Sequence, residues 1–188
     1  GNAKDVSASV NPKNFIEDLL KVLSDRIDRN KIEFMIDVDD TVNKQIKIDS
    51  QKLRYILTNI ISTSLRQMES GKITISVSMP ASNKLNFKIN DTSSGIPSSK
   101  LKDFFKPFAP FDLGSNKVTG ATGLGLTLSK KYIEFLNGSI EVGSTIGKGT
   151  TYNFTITIEA ISAIESQISA LPKPGKKNEV QVVEADYA

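Results

Sequence analysis

The sequence of 188 residues contains no cysteine and no histidine. Without cysteine there can be no disulfide framework, no thiolate zinc site and no thiol catalysis, and the composition is compatible with a reducing cytoplasm. Without histidine the chain lacks the usual general base at neutral pH, the serine and cysteine triads and most transition-metal sites. Catalysis by a histidine or a thiol of this chain is therefore excluded.

The chain also lacks any run of about 18 apolar residues, and its first residues lack the apolar stretch of a signal peptide. These absences predict a soluble, cytoplasmic domain without direct membrane contact, although a longer parent protein could span a membrane. The net charge of +3 comes from 24 basic and 21 acidic residues. So small a surplus predicts no nucleic-acid partner.

Hydrophobic periodicity predicts three long helices and up to six strands. The first helix begins at Pro12 and ends near Asn30, the second is capped by Asp49, and the third runs from Leu124 to Asn137. The strands are predicted from alternating apolar residues, at 32–38, 46–48, 73–79, 85–89, 139–142 and 152–158. One-sided alternation indicates an α+β fold, a two-layer sandwich with a mixed five- to six-stranded sheet covered on one face by the three helices.

Two polar features interrupt this pattern. On the second helix Asn59, Thr63 and Arg66 fall at i, i+4 and i+7 and form one polar stripe, which is either a binding surface or an ordinary solvated face. Asp91 stands at the end of a strand before a tight loop that contains Gly95. Its carboxylate could accept a hydrogen bond from an exocyclic amine, or it could simply form an Asx turn.

Glycines cluster where the third helix begins, at Gly120, Gly123 and Gly125. Glycines at a helix start let free backbone amides converge on a phosphate, and the helix dipole favours the negative charge there. The alternative is a flexible hinge. No strand leads directly into this segment and no Gly-Lys-Ser/Thr follows, so it is neither a Rossmann fingerprint nor a P-loop.

These features occur in an order that resembles the catalytic domain of sensor histidine kinases, of the GHKL ATPase type. The resemblance covers the chain from about Val10 to Ile158. It is carried by five segments that match the N box, the first glycine box, the F box, the second glycine box and the last hairpin of that family: residues 49–61, 91–95, 105–108, 123–126 and 147–154.

The resemblance implies that ATP and Mg²⁺ are the cofactors. It makes Asn59 the catalytic residue, assigns Asn59 and Thr63 to the metal, and assigns the adenine amino group to Asp91. The stretch from Pro107 to Thr122 would be a mobile lid, anchored by Phe105 and Phe108. The full set of implied nucleotide-binding residues is Asn59, Arg66, Asp91, Gly95, Ile96, Gly120, Gly123, Leu124, Gly125 and Thr151.

Three positions depart from the family pattern. Thr63 and Ser64 replace an asparagine and an alanine of the N box, and the asparagine is the residue expected to hold magnesium. A threonine hydroxyl reaches less far than an amide oxygen, and magnesium tolerates little departure from octahedral geometry. Ser93 replaces a glycine and adds a side chain near the expected nucleotide. Two functions therefore stay open: an active histidine kinase domain, or a degenerate nucleotide-binding or scaffold domain with little activity.

Phosphoryl transfer requires positioning and charge neutralisation more than covalent chemistry by the protein. The acceptor histidine must lie outside this chain, so the expected partners are a histidine-bearing dimerisation domain and the receiver domain of a response regulator. The related gyrase, Hsp90 and mismatch-repair ATPases place a glutamate base where this chain has Asn59. Activation of water for hydrolysis is therefore not predicted.

The chain is predicted to divide into an N-terminal leader (1–9), the ATP-binding catalytic domain (10–159) and a linker or tail (160–188). Pro172, Pro174 and Gly175 with neighbouring lysines are typical of a linker. Residues 180–186 faintly resemble the first strand of a receiver domain, which would make the parent a hybrid kinase. The alternative is a disordered tail.

Overall fold

The computed structural model describes residues 7–24, 31–42, 45–107 and 124–158 of the chain. These residues form four helices and seven strands. In chain order the elements are β1 (Ser7–Val10), α1 (Pro12–Ser24), β2 (Ile32–Val38), β3 (Ile46–Asp49), α2 (Ser50–Arg66), β4 (Gly71–Ala81), β5 (Lys84–Asp91), α3 (Ser98–Leu101), α4 (Gly125–Phe135), β6 (Ser139–Thr145) and β7 (Gly149–Thr157).

Five strands form one mixed sheet in the order β2-β4-β5-β7-β6. Strand β2 runs parallel to β4, and the remaining neighbours are antiparallel. Strands β4 and β5 are joined at Ser82 and Asn83, where the sequence predicts a hairpin. The predicted α+β architecture with a mixed sheet is confirmed.

The two faces of the sheet differ in polarity because side chains alternate along each strand. Apolar residues of β4, β5 and β7 lie on the buried face: Ile73, Ile75, Val77, Leu85, Phe87, Ile89, Tyr152, Phe154 and Ile156. Polar residues such as Asn86 and Asn153 lie between them and hydrogen-bond across the strands at 3.0 Å on the other face. The sheet therefore has one covered face and one polar face.

The long helices supply the second layer. On α2 the predicted apolar residues Leu53, Ile56, Leu57, Ile60 and Ile61 are all buried. On α1 the buried residues are Phe15, Ile16, Leu19 and Leu23. The predicted continuation of this helix through Ile27 to Asn30 lies outside the described residues, as does the predicted lid beyond Pro107.

The strand at Ile46–Asp49 does not join the main sheet. It pairs antiparallel with Ser7–Val10 in a separate two-stranded sheet. The sequence predicts no strand at 7–10, because the segment is short and has only Ala8 and Val10 as apolar residues. Strand β1 thus includes residues that the sequence assigned to a leader.

The predicted ends of two helices are confirmed. Asp49 is the N-cap of α2, and its Oδ1 accepts a hydrogen bond from the backbone N–H of Lys52 at 3.0 Å. Helix α4 ends in a Schellman motif, in which Asn137 adopts φ 52° and Gly138 N–H donates to Ile133 O at 2.9 Å. None of the helices in the described ranges is both long and apolar enough to cross a membrane.

Candidate functional site

Asp91 ends β5 with its side chain on the buried face of the sheet, because it continues the alternation of Leu85, Phe87 and Ile89. Its side chain is 4% exposed. Oδ1 accepts hydrogen bonds from the N–H groups of Ser93 at 3.1 Å and Thr150 at 2.9 Å. Oδ2 is buried and has no hydrogen-bond partner. The residue thus forms the Asx turn with one oxygen and offers the other to a ligand.

The loop after Asp91 is fixed against the β6–β7 hairpin. Gly147 N–H donates to Ser94 O at 2.8 Å, and Ile96 N–H donates to Ser144 Oγ at 2.7 Å. Gly95 has φ 78°, and a Cβ added to it would lie 2.2 Å from Thr145 O. Glycine is required at 95 for this contact between loop and hairpin. The family resemblance had assigned Gly95 to nucleotide binding.

Two other residues of this loop, Ser93 and Ile96, are buried. Ser93 is 5% exposed and its Oγ accepts from Gly95 N–H at 3.3 Å, so the substituted side chain is turned into the loop. Ile96, a predicted nucleotide-binding residue, is 1% exposed and belongs to the core.

Thr151 does not lie beside Asp91. Residue pairing places Thr150 opposite Asp91 and Thr151 opposite Asn90, so Thr151 points to the other face of the sheet. There its Oγ1 donates to Asn90 Oδ1 at 2.7 Å. Thr150, which is 2% exposed, shares the buried face with Asp91, so the structure brings Thr150 and not the predicted Thr151 beside this carboxylate. The alternation of β7 could have identified Thr150, because Tyr152 and Phe154 share its face.

The polar stripe of α2 is connected by hydrogen bonds. Asn59 Nδ2 donates to Tyr55 O at 2.8 Å, and Thr63 Oγ1 donates to Asn59 O at 2.7 Å. The guanidinium of Arg66 donates to Thr63 Oγ1 at 2.9 Å. The hydroxyl of Thr63 is thus engaged by the helix backbone and by a cation, an arrangement that opposes the predicted role of Thr63 as a metal ligand.

The start of α4 faces this stripe. A Cβ added to Gly125 would lie 2.2 Å from Asn59 Oδ1, so glycine lets the Asn59 carboxamide approach the start of α4 closely. Leu124 is the N-cap of α4, and its apolar side chain makes no capping bond to the first amides of the helix. The structure therefore brings Gly125 and Asn59 together. Gly120 and Gly123 lie outside the described residues.

Aromatic residues connect the buried face of the sheet near Asp91 to α4. Phe104 is 1% exposed; it packs edge-on against Phe105 at 5.3 Å and in a tilted arrangement against Tyr152 at 5.9 Å between ring centroids. Thr127 Oγ1 donates to Phe105 O at 3.0 Å, which fixes this segment to α4. The sequence singled out Phe105 and missed the buried Phe104; Phe108 lies outside the described residues.

Burial raises the pKa of Tyr152 above its usual value, and the nearby Asp91 carboxylate raises it further. Its hydroxyl therefore stays protonated at physiological pH and acts as a buried donor. Within the described ranges no group of three or more acidic side chains could hold a metal ion.

Comparisons with known proteins identify relatives of this chain. The family model of histidine kinase-, DNA gyrase B-, and HSP90-like ATPases matches residues 48–160. The autoinducer 2 sensor kinase/phosphatase LuxQ of Vibrio vulnificus is 32% identical over 148 residues, which are 76% of this chain and 17% of LuxQ. The aerobic respiration control sensor protein ArcB of Escherichia coli is 30% identical over 81% of this chain and 19% of its own length. This chain thus spans only a small part of these relatives.

Solved structures resemble the fold as well. Full-length ShkA in complex with AMPPNP aligns with a TM-score of 0.73 and 21% identity, over 87% of this chain and 33% of that chain. At this identity the likeness concerns the fold alone.

Proposed function

This chain belongs to the family of histidine kinase-, DNA gyrase B-, and HSP90-like ATPases, and from that premise we propose that it is the catalytic domain of a sensor histidine kinase, which binds ATP and transfers its γ-phosphoryl group to a histidine outside the chain. The observation that carries the proposal is the buried carboxylate of Asp91. Two backbone N–H groups fix Oδ1, and Oδ2 is left without a partner. An exocyclic amino group, such as that of adenine, matches this acceptor.

The phosphates would lie on the other side of the site, between α2 and α4. Asn59, Arg66 and the first amides of α4 face this region, where amide donors and a guanidinium favour an anion. These residues hold and neutralise a triphosphate, and phosphoryl transfer requires little more from the protein. The chain contains no histidine, so the acceptor belongs to a dimerisation domain and the phosphate passes from there to a receiver domain.

The residues present fit Mg²⁺ only in part. Asn59 Oδ1 could bind it, whereas Thr63 Oγ1 is engaged by Asn59 O and Arg66. Magnesium usually takes few protein ligands and several waters and phosphate oxygens, so one amide oxygen can suffice. When bound, magnesium would neutralise charge on the triphosphate.

A second candidate function is a degenerate nucleotide-binding domain that signals through its partner. The contact between Arg66 and Thr63 favours it, because a guanidinium at the predicted metal position repels a divalent cation. In this alternative Arg66 supplies positive charge in place of the metal.

Phosphoryl transfer tests the first candidate. The chain is mixed with radiolabelled ATP and a histidine-bearing dimerisation domain, and acid-labile phosphate is measured on each component. We expect label on the dimerisation domain and none on this chain. Asp91→Asn should weaken nucleotide binding by about 1–3 kcal/mol, and Asp103→Asn on the exposed surface serves as the matched control. Binding of ATP without any transfer would favour the second candidate.

Thr63→Asn tests the role of the metal. Asparagine restores an amide oxygen one turn from Asn59, so we expect a larger difference between ATP affinities measured with magnesium and with a chelator. The comparison is internal to each variant, which cancels effects on stability. A strong magnesium preference in the unmodified chain that Thr63→Asn leaves unchanged would remove the support for a degenerate metal site.

A further inference from the structure

Four buried side-chain polar atoms in the described part of the chain lack a hydrogen bond of good geometry. They are Ser64 Oγ, Gln67 Oε1, Asp91 Oδ2 and Tyr152 OH. Buried polar groups are nearly always satisfied by protein or by ordered water, because an unsatisfied one loses its hydration without compensation. Four such atoms therefore call for a common explanation.

The four atoms belong to one cluster around the Asp91 carboxylate. Asp91 pairs with Thr150 and Ile89 pairs with Tyr152, so Asp91 and Tyr152 are diagonal neighbours on the buried face of the sheet. Ser64 lies on α2 and Gln67 is the C-cap of that helix, and both side chains lie within hydrogen-bonding reach of the Tyr152 hydroxyl without a well-directed bond to it. Ser64 and Tyr152 are 0% exposed. The cluster is thus built from α2 with its C-cap and from strands β5 and β7.

The hydrogen-bonding inventory of the cluster is complementary. Gln67 donates one amide N–H to Thr63 O at 3.3 Å, and its buried Oε1 is an acceptor without a well-directed partner. Asp91 uses Oδ1 on the backbone, which leaves only Oδ2. Two acceptors therefore face two hydroxyl donors, those of Ser64 and Tyr152. The Tyr152 hydroxyl already lies close to Ser64 and Gln67, and one or two water molecules would complete the hydrogen bonds of all four atoms.

We propose that Ser64, Gln67 and Tyr152 form a hydrated polar cluster that orients the free oxygen of Asp91 toward the amino group of a 6-aminopurine base. This inference rests on the proposed nucleotide-binding function. The three residues are positioning residues, since they act through Asp91. Ser64 stands where the family pattern has an alanine, so this chain has a hydroxyl that the pattern lacks.

The cluster makes a prediction that distinguishes positioning from simple packing. Removal of the Tyr152 hydroxyl by Tyr152→Phe should weaken binding of ATP, because Asp91 Oδ2 loses its orientation. The same change should leave binding of purine riboside triphosphate nearly unchanged, because that nucleotide has no 6-amino group to present to Asp91. A structural defect would weaken both nucleotides equally.

The experiment measures the dissociation constants of both nucleotides by calorimetry for the unmodified chain, Tyr152→Phe and Ser64→Ala. We expect each variant to lose about three- to tenfold in affinity for ATP, the worth of one hydrogen bond, and clearly less for purine riboside triphosphate. Tyr132→Phe on α4 is the matched control and should change neither. If Tyr152→Phe fails to fold, Ser64→Ala still tests the proposal.

Equal losses for the two nucleotides, or no loss for ATP in both variants, would overturn the positioning role and leave nucleotide binding intact. Failure of the unmodified chain to bind either nucleotide would instead overturn the proposed function together with this inference. The two failures are therefore distinguishable.

Discussion

Asn59 on α2 and Gly125 on α4 lie against each other at the candidate phosphate site. Asn59 was selected from its place in a polar stripe, and Gly125 from its place at a helix start. The sequence could not show that the two are in contact, because 65 intervening positions separate them and only the fold brings them together. The contact gives glycine at 125 a packing reason in addition to its proposed role with phosphate.

Gly125→Ala should therefore weaken nucleotide binding while changing stability little. Alanine is the better helix former by about 1 kcal/mol, but its Cβ would lie 2.2 Å from Asn59 Oδ1. That oxygen is at the end of a side chain and can move, at the cost of the bond from Asn59 Nδ2 to Tyr55 O. The two effects on stability oppose each other, and the displaced carboxamide lowers affinity.

A double-mutant cycle with Asn59→Ala checks this prediction by calorimetry with ATP. If Gly125→Ala acts through Asn59, the double variant should bind no more weakly than Asn59→Ala alone. Additive losses would show instead that position 125 contacts the nucleotide by itself.

Asp91 and Thr151 show how far a motif predicts a site. Asp91 was correctly expected at a strand end, and its alternation with Ile89 places it on the buried face. Thr151 was assigned from the family resemblance alone. The alternation of side chains along β7 puts Thr150, and not Thr151, on the buried face. The buried partners of Asp91, namely Ser64, Gln67 and Tyr152, could not be predicted, because they come from separate elements and none carries a local signal.

The elements were predicted wherever periodicity is long and one-sided. Helix α2 and strands β4, β5 and β7 each carry several buried apolar residues in a regular pattern. Strand β1 was missed because its four residues rely on pairing with β3 rather than on their own pattern. For the same reason the pairing of β3 with β1 could not be predicted.

The cap of α2 predicts a pH dependence. Burial raises the pKa of Asp49, but hydrogen bonds and charge from Lys52 outweigh it and hold the pKa below the usual 3.8. A depressed pKa in the folded state means that the carboxylate contributes stability above the unfolded value, and that this contribution is lost as the pH falls below 3.8 through the folded pKa. The unfolding free energy should decline in that window.

Asp49→Ala should lower the unfolding free energy by about 1 kcal/mol at neutral pH, since the bond to Lys52 N–H is lost. Asp49→Asn is the matched control, because asparagine caps equally well but does not titrate. Denaturant unfolding at neutral and acidic pH measures both. A pH response of Asp49→Asn equal to that of the unmodified chain would assign the acid sensitivity to other groups.

Gly138 connects α4 to β6 and has no room for a side chain. A Cβ there would lie 1.8 Å from Thr155 O, a backbone atom that cannot move without displacing β7. Gly138→Ala should therefore destabilise the fold by about 1–3 kcal/mol.

Gly143→Ala in β6 is the matched comparison, since nothing lies within 4 Å of its added Cβ. There the substitution should be neutral or stabilising by about 0.5 kcal/mol, because alanine loses less backbone entropy than glycine. Denaturant unfolding of the two variants checks the pair. Equal effects at 138 and 143 would contradict the close packing of the α4–β6 connection against β7.

For the whole molecule, the site lies between a sheet, α2 and α4, so a bound nucleotide would connect elements that are distant in sequence. Asp91 is on β5, Asn59 on α2 and Gly125 on α4. A ligand that contacts all three binds only the folded chain, and linkage then requires that it stabilise the fold.

ATP or ADP at about 100 times its dissociation constant should therefore raise the unfolding free energy by about 2.7 kcal/mol. Thermal unfolding with increasing nucleotide measures the effect, and Asp91→Asn should need a higher nucleotide concentration for the same shift. GTP is the control, because its base presents a carbonyl oxygen to Asp91 in place of an amino group, and two acceptors repel. An equal shift with GTP would show that the phosphates alone hold the ligand and that Asp91 does not select the base. No shift with any nucleotide, with or without magnesium, would contradict nucleotide binding by this chain.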